Sequence, residues 1–63
     1  MISLTRMNDT QYILNSDLIE MIEETPDTVI SLTTGRKLVV KESGKEIVEL
    51  VKNYKKEIFQ INI

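Results

Sequence analysis

The chain contains no cysteine and no histidine, and among its 63 residues only one proline, two glycines and three aromatics. Without cysteine there are no disulfides and no thiolate chemistry. Without histidine as well, the usual zinc ligands are missing. Acid–base or nucleophilic catalysis would have to rest on lysines and carboxylates alone. No apolar run approaches the roughly 20 residues that span a bilayer, so membrane contact is expected only through a partner. The N-terminal residues lack the basic, apolar and small-residue sections of a signal peptide. A reducing compartment fits these features, and the expectation is a cytoplasmic protein.

Length sets a second limit. A chain of this size buries only about 60% of its unfolded surface, and small domains often compensate with disulfides, metals or oligomerisation. With the first two disfavoured, a homo-oligomer is the compensation left open, beside a monomer that folds alone. The net charge of −2 is uninformative, but its distribution is not. Residues 1–34 carry Arg6 against six carboxylates, a net of −5, and residues 35–63 carry seven cations against four anions, a net of +3. That asymmetry either draws sister chains together or reflects ordinary solvated faces, where single pairs are weak.

The patterning predicts an α+β fold in one domain, residues 1–63: an antiparallel sheet over 2–41, a helix over about 44–56 and an apolar tail over 58–63. About five strands are expected, as two hairpins plus a connecting strand. Ile2-Ser3-Leu4-Thr5-Arg6 alternates, Asn8-Asp9 turns the chain, and Tyr12-Ile13-Leu14 returns. Asn at the first turn position suits a type I′ hairpin. Leu18 to Glu24 fits either helix or strand; ending at Thr25-Pro26, it reads better as a bulged strand. Thr28 to Thr33 and Arg36 to Lys41 form the second hairpin around Thr34-Gly35, with Ile30, Leu32, Leu38 and Val40 meeting in the core.

Ser43-Gly44-Lys45-Glu46 is a capping box: Ser43 Oγ accepts from the Glu46 N–H, and the Glu46 carboxylate returns to the Ser43 N–H. Behind it Ile47, Val48, Leu50, Val51, Tyr54 and Ile58 form one helical apolar stripe. The tail Ile58-Phe59-Gln60-Ile61-Asn62-Ile63 is unusually apolar for a terminus. It either continues the helix or adds a strand, and Ile58, Phe59, Ile61 and Ile63 are candidates for self-association.

Neither acidic nor basic clusters spell out chemistry. Glu20, Glu23, Glu24 and Asp27 lack calcium-loop spacing and read as a solvated rim. Thr34-Gly35-Arg36-Lys37 lacks phosphate-loop spacing. No catalytic residue, metal site or cofactor is expected. Lys45, Lys52, Lys55 and Lys56 on the helix, with Arg36, Lys37 and Lys41 on the preceding strand, make a nucleic-acid-binding module the alternative reading. Interspersed glutamates, and Tyr54 committed to the core stripe, weigh against it. An interaction module fits better, with an open sheet edge and an apolar tail to offer.

One pattern runs through nearly the whole chain: Leu4-Thr5-Arg6 with Asn8, Leu14-Asn15, Asp17-Leu18-Ile19 with Ile22-Glu23, Thr25-Pro26-Asp27-Thr28-Val29-Ile30, Leu32-Thr33, Gly35 with Lys37, and Val39-Val40-Lys41-Glu42-Ser43. This resembles the short flagellar protein family called FlbD or SwrD. Where that family usually has Asn-Gly in the first turn, this chain has Asn8-Asp9. The resemblance implies a non-enzymatic cytoplasmic accessory of flagellar and swarming motility. It implies a role at the cytoplasmic side of the motor, supporting its stator units through contact with a motor or assembly protein. The matched residues expected at a surface are Arg6, Asn8, Asp17, Pro26 and Asp27. Each also has a purely local reading: turn formers at Asn8 and Pro26-Asp27, a cap at Asp17, an edge charge at Arg6.

Overall fold

Two β-hairpins built on the same three-residue loop organise the sheet. In the first, the Asp9 N–H donates to the Arg6 carbonyl at 2.9 Å and the Arg6 N–H to the Thr10 carbonyl at 2.8 Å. In the second, the Gly35 N–H donates to the Leu32 carbonyl at 2.9 Å and the Leu32 N–H to the Arg36 carbonyl at 2.8 Å. Each loop ends on a left-handed residue, Asp9 at φ 71° and Gly35 at φ 92°. This is the turn-plus-bulge connection of three-residue hairpins. It replaces the type I′ turn expected at Asn8-Asp9, because Asn8 does not take positive φ. Instead Asn8 Oδ1 accepts from the Thr10 N–H at 3.2 Å and the Thr10 hydroxyl at 2.7 Å, which closes the loop from inside.

The computed structural model describes residues 1–61, with side chains as far as Phe59. Strands β1 (Ile2–Thr5) and β2 (Gln11–Leu14) form the first hairpin. A 3-10 turn at Ser16–Leu18 leads into β3 (Ile19–Glu24), β4 (Thr28–Leu32) and β5 (Lys37–Val40), and α1 (Gly44–Ile61) follows. Leu18 closes the 3-10 turn, and the rest of the stretch 18–24 is a strand. It carries the expected irregularity, since its register with β4 shifts between Ile19 and Met21. The strands form an antiparallel pair β1–β2 and an antiparallel triplet β3–β4–β5. An Arg6–Val40 bridge and a hydrogen bond from the Lys41 N–H to the Thr5 carbonyl join them. The spatial order is therefore β2-β1-β5-β4-β3.

Alternation drives the core together. Ile2, Leu4, Leu14, Ile30, Leu32 and Val40 point inward, and Ile47 of α1 covers them with no exposure. Leu38 packs against this cluster half-buried, as do Leu50, Val51 and Tyr54 along the predicted helical stripe. Ser43 Oγ accepts from the Glu46 N–H at 3.1 Å as the capping box requires. The return arm differs: Glu46 Oε1 accepts from the Ser43 hydroxyl at 3.2 Å. The Gly44 N–H donates to Glu24 Oε1 at 2.6 Å, so a carboxylate from β3 serves the helix start. The helix runs past Lys56 to Ile61; Glu57, Ile58, Phe59 and Gln60 contain no breaker, and Ile58 keeps the four-residue stride from Tyr54. The tail as far as Ile61 is therefore helix and not an added strand.

Candidate interaction groove

Where β1 leaves β5, the first hairpin's tip and the start of β5 enclose a surface groove. Its two adjoining lobes have volumes of about 420 Å³ and 300 Å³ and share Arg6, Tyr12 and Leu38. Met7, Lys37 and Val39 line the first lobe, and Ile13, Leu32 and Arg36 the second. Three cations thus face the groove, and no carboxylate is among its lining residues.

Local structure positions each of these groups. Tyr12 pairs with Leu4 across the hairpin, which directs its ring toward the core side of the sheet. The Arg6 guanidinium sits 4.3 Å from the ring centroid, a cation–π contact. Arg6 Nη1 also donates to Thr10 Oγ1 at 3.4 Å. Burial pushes the Tyr12 phenol above its ordinary pKa; the nearby Arg6 charge pulls the other way, and Glu42 adds a smaller upward push. Lys41 is ion-paired with Asp9 and so braces the loop beside the groove.

Directly behind the β1–β5 junction, Glu42 accepts from the Thr5 N–H at 2.9 Å and from the Thr5 hydroxyl at 2.7 Å. Burial raises its pKa, but the Thr5 N–H, the Thr5 hydroxyl and its own N–H together outweigh that and leave the carboxyl below its ordinary value. A second cleft, about 510 Å³ in volume, lies between this region and α1, with Glu42, Glu46 and Glu49 on its wall. All three carboxylates are already engaged, Glu42 by Thr5, Glu46 by Ser43 and Glu49 by Lys52. Among the described residues no group of three metal-ligating side chains converges.

The five surface residues expected from the sequence are all exposed, but they do not form one site. Arg6 and Asn8 share a wall of the groove. Pro26 and Asp27 connect β3 to β4, and Thr28, Val40 and Arg6 lie in one register row across three strands. That places Asp27 near the same end of the sheet as Arg6, about two strand spacings or roughly 10 Å away. Asp17 lies elsewhere. Its N–H donates to Asn15 Oδ1 at 3.1 Å, so Asn15 is the cap, and its carboxylate lies 3.7 Å from Lys55 Nζ. Of the tail residues, Ile58 is half-buried and Phe59 is 67% exposed. The side chain of Ile61, and Ile63 altogether, lie outside the described residues.

Tyr12, Leu38, Arg36 and Lys37 were missed as companions of Arg6. The cations of β5 were visible in the sequence, but only the Arg6–Val40 bridge brings them to the first hairpin. The basic helix face is interleaved with acids: Lys52 lies 3.7 Å from Glu49, and Lys55 the same distance from Asp17.

Among the described residues no helix is long and apolar enough to cross a membrane. No curated protein and no solved structure matches the chain. Over residues 1–59, however, the sequence matches FlbD, the family of flagellar and swarming motility proteins. That span takes in both hairpins, the groove and all but the end of α1, and the chain belongs to the FlbD family of flagellar and swarming motility proteins.

Proposed function

We propose that this protein works in flagellar and swarming motility as a non-enzymatic accessory. It acts by protein–protein contact at the cytoplasmic side of the motor and supports the power of the stator units. The observation that carries the reading is the groove between the first hairpin and β5. It combines a fixed guanidinium with exposed apolar side chains, Met7 at 50% and Val39 at 42% exposure. Exposed apolar groups beside cations suit a protein partner. Nucleic acid fits less well, because Arg6 already covers the Tyr12 ring on which a base would stack.

Complementation of a strain lacking the protein tests this reading. Arg6→Glu, which abolishes the stacking on Tyr12, and Asp27→Lys, which reverses charge at the same end of the sheet, are compared with the unaltered chain. Circular dichroism verifies that each variant is folded. The expected result is reduced swarming and reduced torque per motor, with flagellar number unchanged. Full swarming by both folded variants would remove this surface from the mechanism. A loss of flagella rather than torque would redirect it from power to assembly.

A further inference from the structure

The outer strand β3 keeps one backbone edge free, and its neighbours fix which residues face it. The Leu32 N–H donates to the Arg36 carbonyl, so Leu32, and by alternation Ile30 and Thr28, turn their backbone groups toward β5. Thr33, Ser31 and Val29 turn theirs the other way, in step with the 2.8 Å bond from the Thr33 N–H to the Leu18 carbonyl. Ser31 and Val29 therefore bond to Met21 and Glu23, their register partners on β3. Ile22 and Glu24, the alternate residues, direct their N–H and C=O groups away from β4. Among the described residues no strand lies on that side. An open edge of this kind templates a further strand.

The two faces beside this edge differ in chemistry. Ile22 lies in the row Ile22–Ile30–Leu38 on the core face, where α1 passes without closing the space. Ile19, Ile22, Val48 and Val51 line a cleft there of about 290 Å³, and Val48 is half exposed. Ser16 lines the same cleft; it is 8% exposed, and its hydroxyl is buried without a hydrogen-bond partner. An unpaired buried polar atom is uncommon and costly. An apolar cleft holding such a hydroxyl suits a side chain with an apolar body and a polar tip, the build of tyrosine. Lys52 also lines the cleft, but it lies 3.7 Å from Glu49. On the outer face Glu23, in the row Glu23–Val29–Val39, is exposed, as is Glu20 in the bulge. Among the described residues neither makes an ion pair. That face calls for cations.

We infer that β3 is a docking edge for an extended segment of a partner protein in which a tyrosine stands between two basic residues. The segment adds antiparallel to β3. Its tyrosine sits opposite Ile22, so that the backbone groups of the two residues point at each other. Cross-strand partners share a face of the sheet, which sends the tyrosine ring into the cleft and its hydroxyl to Ser16 Oγ. The flanking basic residues fall on the outer face, opposite Met21 and Glu23. This edge lies two strands beyond β5, so the contact is separate from the Arg6 groove and goes beyond the function proposed for it.

Titration of the full-length chain with the acetylated and amidated peptide Thr-Val-Lys-Tyr-Lys-Val-Thr, followed by amide NMR, tests this. Saturable binding with a Kd below about 1 mM is expected. The shifts should concentrate at Glu20–Glu24 and Val48–Lys52, and the Ile22 amide should become protected from hydrogen exchange. Replacing the peptide's tyrosine by phenylalanine, or Ser16→Ala in the protein, should each weaken binding by about two- to tenfold, the worth of one hydrogen bond. The two changes together should weaken it no further than either alone. Replacing both peptide lysines by glutamate should abolish binding at low salt, and Glu23→Lys should weaken it. Ser16→Ala itself should leave the unfolding midpoint unchanged or raised, since the hydroxyl has no bond to lose. If that variant fails to fold, the peptide exchange on the unaltered chain decides: phenylalanine equal to tyrosine overturns the inference. Absence of saturable binding, shifts centred on the Arg6 groove, or strictly additive losses in the Ser16–tyrosine cycle also overturn it. So does the same Glu20–Glu24 shift pattern arising without peptide as the protein is concentrated, which would place a second copy on this edge.

Discussion

The Glu42 carboxylate holds Thr5 at two points, one oxygen taking the backbone N–H at 2.9 Å and the other the hydroxyl at 2.7 Å. The pair spans 37 positions of sequence and ties β1 to the segment that leads into α1. Hydrogen bonds to an ionised acceptor are stronger than neutral ones. Glu42→Ala is therefore expected to cost about 1–2 kcal/mol at neutral pH, at the lower end because the site is only partly buried. The sign of its pH dependence follows from the lowered pKa of Glu42. The contribution is complete above the ordinary carboxylate value of roughly 4.3, is lost as pH falls through the lower folded value, and is absent below it. Urea unfolding at about pH 7 and about pH 3 should show the gap between the two proteins closing at the acid end. A gap of constant size would mean that packing, not the carboxylate, holds Thr5.

Asp9 and Gly35 occupy the same left-handed position in two equivalent loops, and their substitutions should move stability in opposite directions. Nothing lies within 4 Å of a Cβ added to Gly35, so Gly35→Ala meets only the backbone penalty, about 1 kcal/mol. Asp9→Gly relieves the corresponding strain but gives up the exposed ion pair to Lys41, worth roughly 0–1 kcal/mol, and frees the unfolded chain. The net expectation for Asp9→Gly is stabilisation by about 0.5 kcal/mol, growing in high salt as the ion pair is screened. Denaturant midpoints for both variants decide the matter. Destabilisation by Asp9→Gly that disappears in high salt would assign the loop's stability to the ion pair; destabilisation at all salt concentrations would assign it to the added freedom of the unfolded chain.

The contrast between these loops and the longer-range contacts explains how far the sequence could be read. Alternation in Ile2–Arg6 and Thr28–Thr33 and the stripe from Ile47 to Ile58 are local periodicities, so strands and helix followed directly. Even the irregularity at Ile19–Met21 was visible, because the apolar residues there do not alternate. Asn8-Asp9 misled because two consecutive turn formers suit both a two-residue and a three-residue loop, and only the pairing of Arg6 with Thr10 decides between them. The groove had no local signature. It exists because β1 pairs with β5 at one end only, and nothing within either strand encodes where two distant strands part.

Gly44 and Glu24 should behave as a coupled pair. The Gly44 N–H donates to Glu24 Oε1 at 2.6 Å, and a Cβ on Gly44 would run into that same oxygen. Replacing a helical glycine by alanine ordinarily gains up to about 1 kcal/mol. Here Gly44→Ala displaces the carboxylate and gives up its hydrogen bond and its favourable place at the helix N-terminus, each worth several tenths of a kcal/mol to about 1. Gly44→Ala is thus expected to be neutral or destabilising in the unaltered protein and stabilising in Glu24→Ala. A double-mutant cycle should return a coupling of about 0.5–1.5 kcal/mol. Strict additivity would show that Glu24 moves aside without losing its contact.

Ile47 and Phe59 mark two regimes within one helix. Ile47 is fully buried against the sheet, whereas Phe59, more than three turns later, is 67% exposed. Ile47→Ala should therefore cost about 2–4 kcal/mol, the lost transfer energy plus a cavity under the helix. For a domain whose whole stability is of order 5 kcal/mol, that is enough to unfold a large share of the molecules. Phe59→Ser removes a ring that the single chain hardly covers, so its unfolding midpoint at high dilution should shift by less than about 0.5 kcal/mol. The informative comparison is the concentration dependence of the two midpoints. If Phe59→Ser is neutral when dilute but lowers the midpoint of concentrated protein, the end of α1 contributes to self-association. If it is neutral at both, the ring stays exposed at every concentration as it is in the single chain. That outcome would leave Phe59 facing outward for a motility partner.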